Sequence, residues 1–465
     1  MATESRKKYL AKNVALFTLA NIATKFINFL LVPLYTHVLT TEEYGVVDLL
    51  ITLSMFLAPI LIANIGESVL RFALNKNENT EHVMAIGLLS LCVSIVLSLL
   101  LIPVFRMIPI VSEYSIYLYF FCVSANCYQV LTCYLRGTEN TVGFSFCTIL
   151  NTILHCALNI FYLVTLKKGI AGYLEAYILS NFITAIVAFF WGRVFKVIKH
   201  FLFNTTLAKK MLVYSIVLIP NAFMWWIMDS MDRFVITAFL GAAANGIFAI
   251  AYKLPTLLST IANTFNQAWL YSAVQENESS DRDKYATQIF NTFFSIIILL
   301  ATGMLMVLKP FMKVYVSSEF YIAWRYAPYL VAGFVFSSIG TFLSSYYNVN
   351  FDSIGFLFSA ITGAVVNVFL NIVLVAPLGM TGVALATSIS YISVFTYRYF
   401  DTKKYVSIKV FSGKNIVSII LLLVMVFSVY IPGISGQILC CIEFLIVVLF
   451  EFKELLPLIM KFLHR

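Results

Sequence analysis

Charge is scarce in this chain. Asp, Glu, Lys and Arg make up only 11% of its 465 residues, against about 25% in a soluble domain, which excludes an ordinary water-facing surface. Histidine is also rare. His37, His82, His155, His200 and His464 are scattered singly; only His155 falls inside an expected membrane span, where packing and function both stay open. The eight cysteines, Cys92, Cys122, Cys127, Cys133, Cys147, Cys156, Cys440 and Cys441, all fall in expected spans with no zinc-type spacing partner and no loop-to-loop pairing, so they read as small apolar fillers. No Walker motif or soluble ATPase domain is present, which excludes direct ATP drive within this chain. A sizeable outer loop with acid/base groups, which a membrane-embedded polymerase or ligase needs, is missing too. No catalytic residue, metal ligand or cofactor is expected.

What the chain does have is apolar length. Hydrophobic residues make up 61% and the mean hydropathy is +0.91. Runs of about 20 apolar residues, enough to cross a bilayer, recur almost from end to end. The expectation is an all-α polytopic membrane protein with fourteen transmembrane helices. Their cores are 13–35, 45–70, 83–105, 114–135, 144–166, 170–192, 211–239, 246–270, 286–308, 323–346, 356–376, 380–397, 415–431 and 438–450. The polar start "MATESRKKYLAKN" and the length of the first run, with no small-residue cleavage site after it, mark a retained helix.

Basic residues stay on the cytoplasmic side during insertion. With the N-terminus inside, 22 Lys and Arg fall in cytoplasmic segments and five in outer loops, while Lys25, Arg233, Lys253 and Arg325 lie within spans. Both termini are therefore expected to be cytoplasmic. The net charge of +9 follows from this bias and favours anionic lipid head groups, with no nucleic-acid partner.

A repeat organises the chain. "GFSFCTILNTILHCALNI" (143–160) and "GFLFSAITGAVVNVFLNI" (355–372) agree at seven of eighteen positions without a gap. "GIAG" (169–172) meets "GMTG" (379–382), and "LTTEEYG" (39–45) meets "LGAAANG" (240–246). These landmarks imply two parallel six-helix repeats around a central cavity plus two C-terminal helices, since six helices return the chain to its starting side and such architectures bind substrate between their halves. The expected bounds are 1–203 for an N-lobe, 204–402 for a C-lobe and 403–465 for helices thirteen and fourteen, with a basic linker at 193–210.

Each charge at mid-bilayer costs about 3 kcal/mol on insertion scales and so faces a protein interior or a wet space. "IMDSMDRFVI" (227–236) carries Asp229, Asp232 and Arg233 at spacings that share one helix face, and Lys253 on the next helix lies at similar depth. They form either a net-neutral clamp or an ion-coupling site, the acids taking up a proton or sodium ion. Helix eight shows a polar stripe of Lys253, Thr256, Thr260, Asn263 or Thr264, and Gln267, and helix one shows Thr18, Asn21, Lys25 and Asn28. Both read as cavity lining, with hydrogen bonding within the bundle as the alternative. Lys25 has no acid on its own helix, and it ranks first as an anion-binding residue, with Arg233 and Lys253 as further candidates. Glu67, four residues before Arg71, and Glu175 are weaker ion-coupling candidates. Pro33, Pro59, Pro220 and Pro255 fall in the first two helices of each half and are expected to kink them. The abundant aromatics, 42 Phe and 26 Tyr, suit packing and interface belts.

"KNVALFTLANIATKFINFLLVPLYTHVLTTEEYGVVDLL" (12–50) resembles the opening of the polysaccharide-transporter branch of the multidrug/oligosaccharidyl-lipid/polysaccharide (MOP) exporter superfamily, and "MDRFVITAFLGAAANGIFAIAYKLP" (231–255) resembles the segment that opens the second half there. The resemblance runs over residues 10–400. It implies a Wzx-type flippase for undecaprenyl-diphosphate-linked oligosaccharide (O-antigen, capsule or exopolysaccharide units) in the bacterial inner membrane. Alternating access, ion-gradient coupling to protons or sodium, and a polymerase or glycosyltransferase partner are implied with it. In related lipid II flippases, cationic residues on the first and eighth helices face the cavity; Lys25 and Lys253 stand on the corresponding helices. Lys25 replaces the arginine common there, and no base occupies the middle of helix two, which makes lipid II the poorer guess. A drug or cation antiporter of the same superfamily is the closest rival, although its site is expected to be net acidic.

Overall fold

The computed structural model describes residues 24–75, 77–199 and 203–463. Every described element is helical. The chain divides into two compact units, Met1–Phe223 and Met224–Arg465.

In the first unit a helical segment at 24–30 runs into α1 (Val32–Val38), followed by α2 (Thr41–Leu61) and α3 (Ile65–Ala73). Then come α4 (Thr80–Leu100), α5 (Ser115–Gly137), α6 (Thr141–Asn159) and α7 (Gly169–Trp191). Local chemistry sets their starts. Thr40 and Glu43 close a reciprocal capping box on α2, and the Asn79 and Asn140 side chains cap α4 and α6, each satisfying backbone N–H groups that the first turn leaves open. The core of this unit gathers Ile65, Val69, Val83, Met84, Val130, Leu135 and Cys147. The start of α8 (Thr205–Leu240) is pinned to it by buried hydroxyls, Ser68 Oγ lying 2.6 Å from both Ser215 Oγ and Met211 O.

The second unit takes the rest of α8, then α9 (Ala242–Lys253), α10 (Pro255–Gln275), α11 (Arg282–Tyr315), α12 (Ala327–Val349), α13 (Ser353–Asp401), α14 (Gly413–Ser428) and α15 (Gly433–Leu463). Helix α12 is the most enclosed of its candidate spans: 83% of its most apolar window is buried, against 22% for Gly433–Phe452. Gly333 lets α12 close on α13, since a Cβ there would lie 2.8 Å from the Ser388 backbone. Trp269 stacks on Phe342 at 4.9 Å, and Phe290 and Phe293 pack on the same ring at 5.4 and 5.5 Å. Aromatic pairs of this kind add about 1 kcal/mol each beyond area burial.

The all-α polytopic expectation holds. Among the described residues nine helices are long and apolar enough to cross a membrane, ten with the bent pair in α8. The expected count of fourteen differs for identifiable reasons. The first span begins outside the described residues, and the eighth is broken at Leu254 between α9 and α10. The eleventh and twelfth run together as α13, interrupted only where Gly379 takes φ +56°, a conformation open to glycine. The thirteenth, α14, has 16 residues.

Pro59 and Pro220 lie inside helices, and Pro33 and Pro255 occupy the first turns of α1 and α10. Leu31 and Leu254, just before those turns, keep right-handed helical backbone angles, so the helical path continues past both prolines.

Candidate functional site

Asp232, on α8, is completely buried within the second unit. Four donors converge on its carboxylate from three other helical segments. Tyr252 Oη on α9 donates to Oδ2 at 2.8 Å and Thr387 Oγ1, beyond the Gly379 break of α13, at 2.7 Å. Asn371 and Asn367, before that break, donate through Nδ2 to Oδ1 at 2.9 and 3.3 Å. No base pairs with it among the described residues. Hydrogen bonds to the ionised form offset part of the cost of a buried charge, yet the site keeps an open valence: Asn371 Oδ1 is buried with no hydrogen-bond partner.

An asparagine amide presents either its NH2 or its oxygen after a half-turn. With NH2 groups inward, as here, Asn367 and Asn371 suit a bare carboxylate. With oxygens inward they join Asp232 and the hydroxyl of Thr387 as an all-oxygen set suited to a hard monovalent cation. No group of three or more His, Cys, Asp or Glu able to hold a metal ion occurs among the described residues.

The neighbouring charges are Asp229, Arg233 and Lys253. Asp229 is exposed and accepts from Tyr391 Oη at 3.0 Å. Arg233 is half-buried, donates to the Asp229 backbone oxygen at 2.5 Å, and lies over the Tyr252 ring at 5.1 Å. Tyr252 thus touches Asp232 through its hydroxyl and Arg233 through its face. Lys253, at the end of α9, is half-buried and makes no hydrogen bond or ion pair with a described residue. Lys253 therefore adds no ion pair between α8 and α9.

Lys25 is exposed on the first described helical turn and also lacks any such partner, and Asn28 is exposed one turn later. Thr24 Oγ1, 2.9 Å from Thr152 Oγ1, docks this segment on α6. Thr18 and Asn21 lie outside the described residues. On α10 the hydroxyls of Thr256, Thr260 and Thr264 bond to carbonyls of their own turn at 2.8 to 3.0 Å, and Asn263 and Gln267 are exposed. The stripe does not serve as glue between helices. The bond that crosses to α12 comes from its neighbour Asn266, which accepts from Ser345 at 2.6 Å.

Glu67 and Arg71 are both exposed and form no ion pair within 4 Å, contrary to the local pairing their spacing allowed. Glu175 pairs with Lys168 at 2.6 Å at the start of α7, and that carboxylate raises the Lys168 ammonium above its ordinary pKa. Arg325, counted inside a span, lies exposed in the short 3-10 turn Tyr321–Arg325 before α12.

Three buried ionisable groups escaped sequence reasoning. Arg398, counted as cytoplasmic, is 2% exposed. It donates to Ser359 Oγ and Gly340 O at 3.0 and 2.9 Å, lies 5.2 Å from the Trp225 and Phe356 rings, and leaves Nη2 without a partner. Glu451 is fully buried and accepts from Ser295, Ser418 and Lys414 at 2.5 to 2.8 Å. Glu443 accepts from Ser428 at 2.7 Å. Asn367 and Asn371 did have a signal: two amides one turn apart in an otherwise apolar repeat.

Helices of membrane-spanning length, broken at Gly379 around a buried carboxylate and its amides, define the class as a polytopic helical protein with a transporter fold. The sequence model of the family described as "Polysaccharide biosynthesis protein" matches residues 10–271, and the chain belongs to that family. No curated protein matches it in sequence. Among solved structures it is similar to the lipid II flippase MurJ in an inward closed conformation (16% identity, 97% of this chain, 100% of that one, TM-score 0.69). It is also similar to an inward-facing multidrug resistance MATE family transporter of the MOP superfamily (15%, 83%, 94%, 0.62). A third relative is a MOP superfamily transporter from Pyrococcus furiosus (14%, 84%, 92%, 0.53), titled for the reverse polarity of its binding pocket. The fold is thus that of the MOP exporters.

Proposed function

We propose that the chain is a flippase moving undecaprenyl-diphosphate-linked oligosaccharide units across the bacterial inner membrane by alternating access, with an ion gradient as the drive. The observation that carries the substrate reading is the pair Lys25 and Lys253, two cations on membrane helices without an acid partner among the described residues. A diphosphate needs fixed cations in a low-dielectric setting. The family's link to polysaccharide biosynthesis supports a sugar cargo, and the MurJ-like fold supports a polyprenyl carrier whose tail stays in lipid. Membrane lipids are then partners by necessity, and a polymerase or glycosyltransferase is a partner in sequence of action.

Asp232 is the coupling residue in this reading. Its carboxylate alternates between the hydrogen-bonded anion and a form neutralised by a proton or sodium ion. Because its donors come from α9 and from both sides of the Gly379 break, filling the site changes what holds those segments together. Ion binding thereby biases one conformation over another, which is the requirement for coupling.

The test is translocation of a fluorescent undecaprenyl-diphosphate oligosaccharide in proteoliposomes, with an imposed proton or sodium gradient, comparing wild type with Lys25→Ala. Gradient-driven flipping lost in Lys25→Ala is the expected result. No flipping under either gradient, with efflux of an organic cation instead, would establish the drug-antiporter alternative.

A further inference from the structure

The repeat places His155 opposite Asn367 and Asn159 opposite Asn371, with Tyr177 opposite Thr387 in the following landmark. Leu31 stands where Asp232 does. The first unit thus carries the counterpart of the Asp232 site with its acid replaced by leucine and an imidazole introduced one helix away.

The surroundings of this imidazole are polar and incompletely satisfied. Asn159 is fully buried and its Nδ2 donates to the His155 backbone oxygen at 2.8 Å, while lying 3.2 to 3.3 Å from the ring nitrogens. Its Oδ1 is buried without a partner, and the ring of Tyr35 on α1 packs edge-on against Tyr173 at 5.1 Å. Tyr173 and Tyr177 of α7 hold the imidazole between them, rings edge-on at 5.8 and 5.6 Å. The backbone departs from α-helical form at this point, Ile160–Thr165 forming a π-helix directly after Asn159, an irregularity frequent at functional sites. The titratable groups around the ring are Tyr173 and Tyr177, with Tyr35 behind them and Cys156 next in its own helix. No carboxylate or base bonds to it among the described residues.

We propose that His155 is a proton-binding site in the first unit, the sequence counterpart of Asp232 in the second, and that its occupancy is linked to conformation. Without a carboxylate the site lacks the negative charge that favours sodium, whereas an imidazole nitrogen takes up a proton near physiological pH. As a neutral ring, His155 accepts from Asn159 Nδ2. As imidazolium it becomes a donor at both nitrogens, and the orphaned Asn159 Oδ1 supplies the acceptor after a half-turn of the amide. The flanking tyrosine rings suit the cation as well. The ring is half-buried, and because a charge is favoured where water reaches it, proton uptake selects a conformation in which the site is wetter. The coupling role rests on the transporter reading above; the proton site itself does not.

The test separates the two. In nanodiscs, the full chain with His37, His82, His200 and His464 replaced by glutamine leaves His155 as its sole histidine, and its 15N side-chain signals are followed as pH falls from neutral. The expected result is conversion to imidazolium, with His155→Gln abolishing the signal and keeping the wild-type melting temperature. A ring that stays neutral until the protein unfolds overturns the proposal. In proteoliposomes, translocation controlled by one proton changes up to tenfold per pH unit. With Asp232 intact, His155→Gln should lower the slope of rate against pH relative to the wild type; an unchanged slope overturns the coupling role. Titration without any translocation refutes the flippase and leaves the proton site standing.

Discussion

Replacing Asp232 by asparagine removes a charge while keeping the shape of the side chain, and the surroundings indicate how well that is tolerated. Oδ1 of the new residue can still accept from Asn367 and Asn371, and its NH2 can donate to the hydroxyl oxygens of Tyr252 and Thr387, which accept as well as donate. Asp232→Asn should therefore cost no more than about 1 kcal/mol, one ordinary hydrogen bond. Alanine is different. Thr387 retains a bond to Val383 O at 3.1 Å and Asn371 one to Asn367 Oδ1 at 3.0 Å, but the Tyr252 hydroxyl and the Asn367 amide lose their acceptor. At about 1–3 kcal/mol for each buried donor left unsatisfied, Asp232→Ala should cost about 2–6 kcal/mol. The assay is thermal unfolding in detergent, followed by tryptophan fluorescence, across a sodium titration balanced with an organic cation and repeated over pH. If the wild type binds the ion only when folded, its stability rises by about 2.7 kcal/mol at a hundredfold excess over the dissociation constant. Asp232→Asn should melt near the wild type without ion and show no rise with it. A full ion response in Asp232→Asn would refute Asp232 as the coupling site.

Other outcomes are expected from the same structure. Lys25→Ala should abolish translocation of the lipid-linked oligosaccharide and Lys253→Ala weaken it, with both variants melting as the wild type does; an unchanged rate in either counts against a cationic substrate site. Arg398→Ala removes a fully buried side chain packed on Trp225 and Phe356, and should lower stability by about 3–5 kcal/mol as other large-to-small core changes do; a shift below about 1 kcal/mol shows that the site collapses onto the gap. Asp352, which caps α13 through Gly355 N at 2.8 Å and accepts from Lys404 and Tyr405 at 3.0 and 2.9 Å, has its pKa lowered to about 2, chiefly by the Gly355 N–H. Its stabilisation is complete above the unfolded carboxylate pKa near 4 and is lost as pH falls from there to about 2, so Asp352→Asn should lower the melting temperature at neutral pH and show a smaller further loss over that acid range.

Much of the fold was written in hydropathy. A chain with so few charges and apolar runs of bilayer length has helices as its available structure, because each helix satisfies its own backbone bonds where water cannot. The internal repeat also held the matched polar positions, since Asn159 and Asn371 are the middle residues of identical Leu-Asn-Ile triplets, although the triplets alone did not single them out. The charge cluster at 229–233 was visible as a cost in need of an explanation. Sequence spacing grouped Asp229, Asp232, Arg233 and Lys253 because residues three and four apart share a helix face.

Which way each of those side chains turns was decided by packing. One face of α8 meets α9 and both segments of α13, so Asp232 goes inward to Tyr252 and to three donors more than a hundred residues away in sequence, while Asp229, three positions earlier, stays exposed. The same long-range packing made Arg398 a core residue and Arg325 a loop residue, reversing their assignments by position along the chain. Local composition fixes that a segment is helical and apolar; the burial and partners of a given charge depend on which helices close over it, and that is a property of the tertiary structure alone.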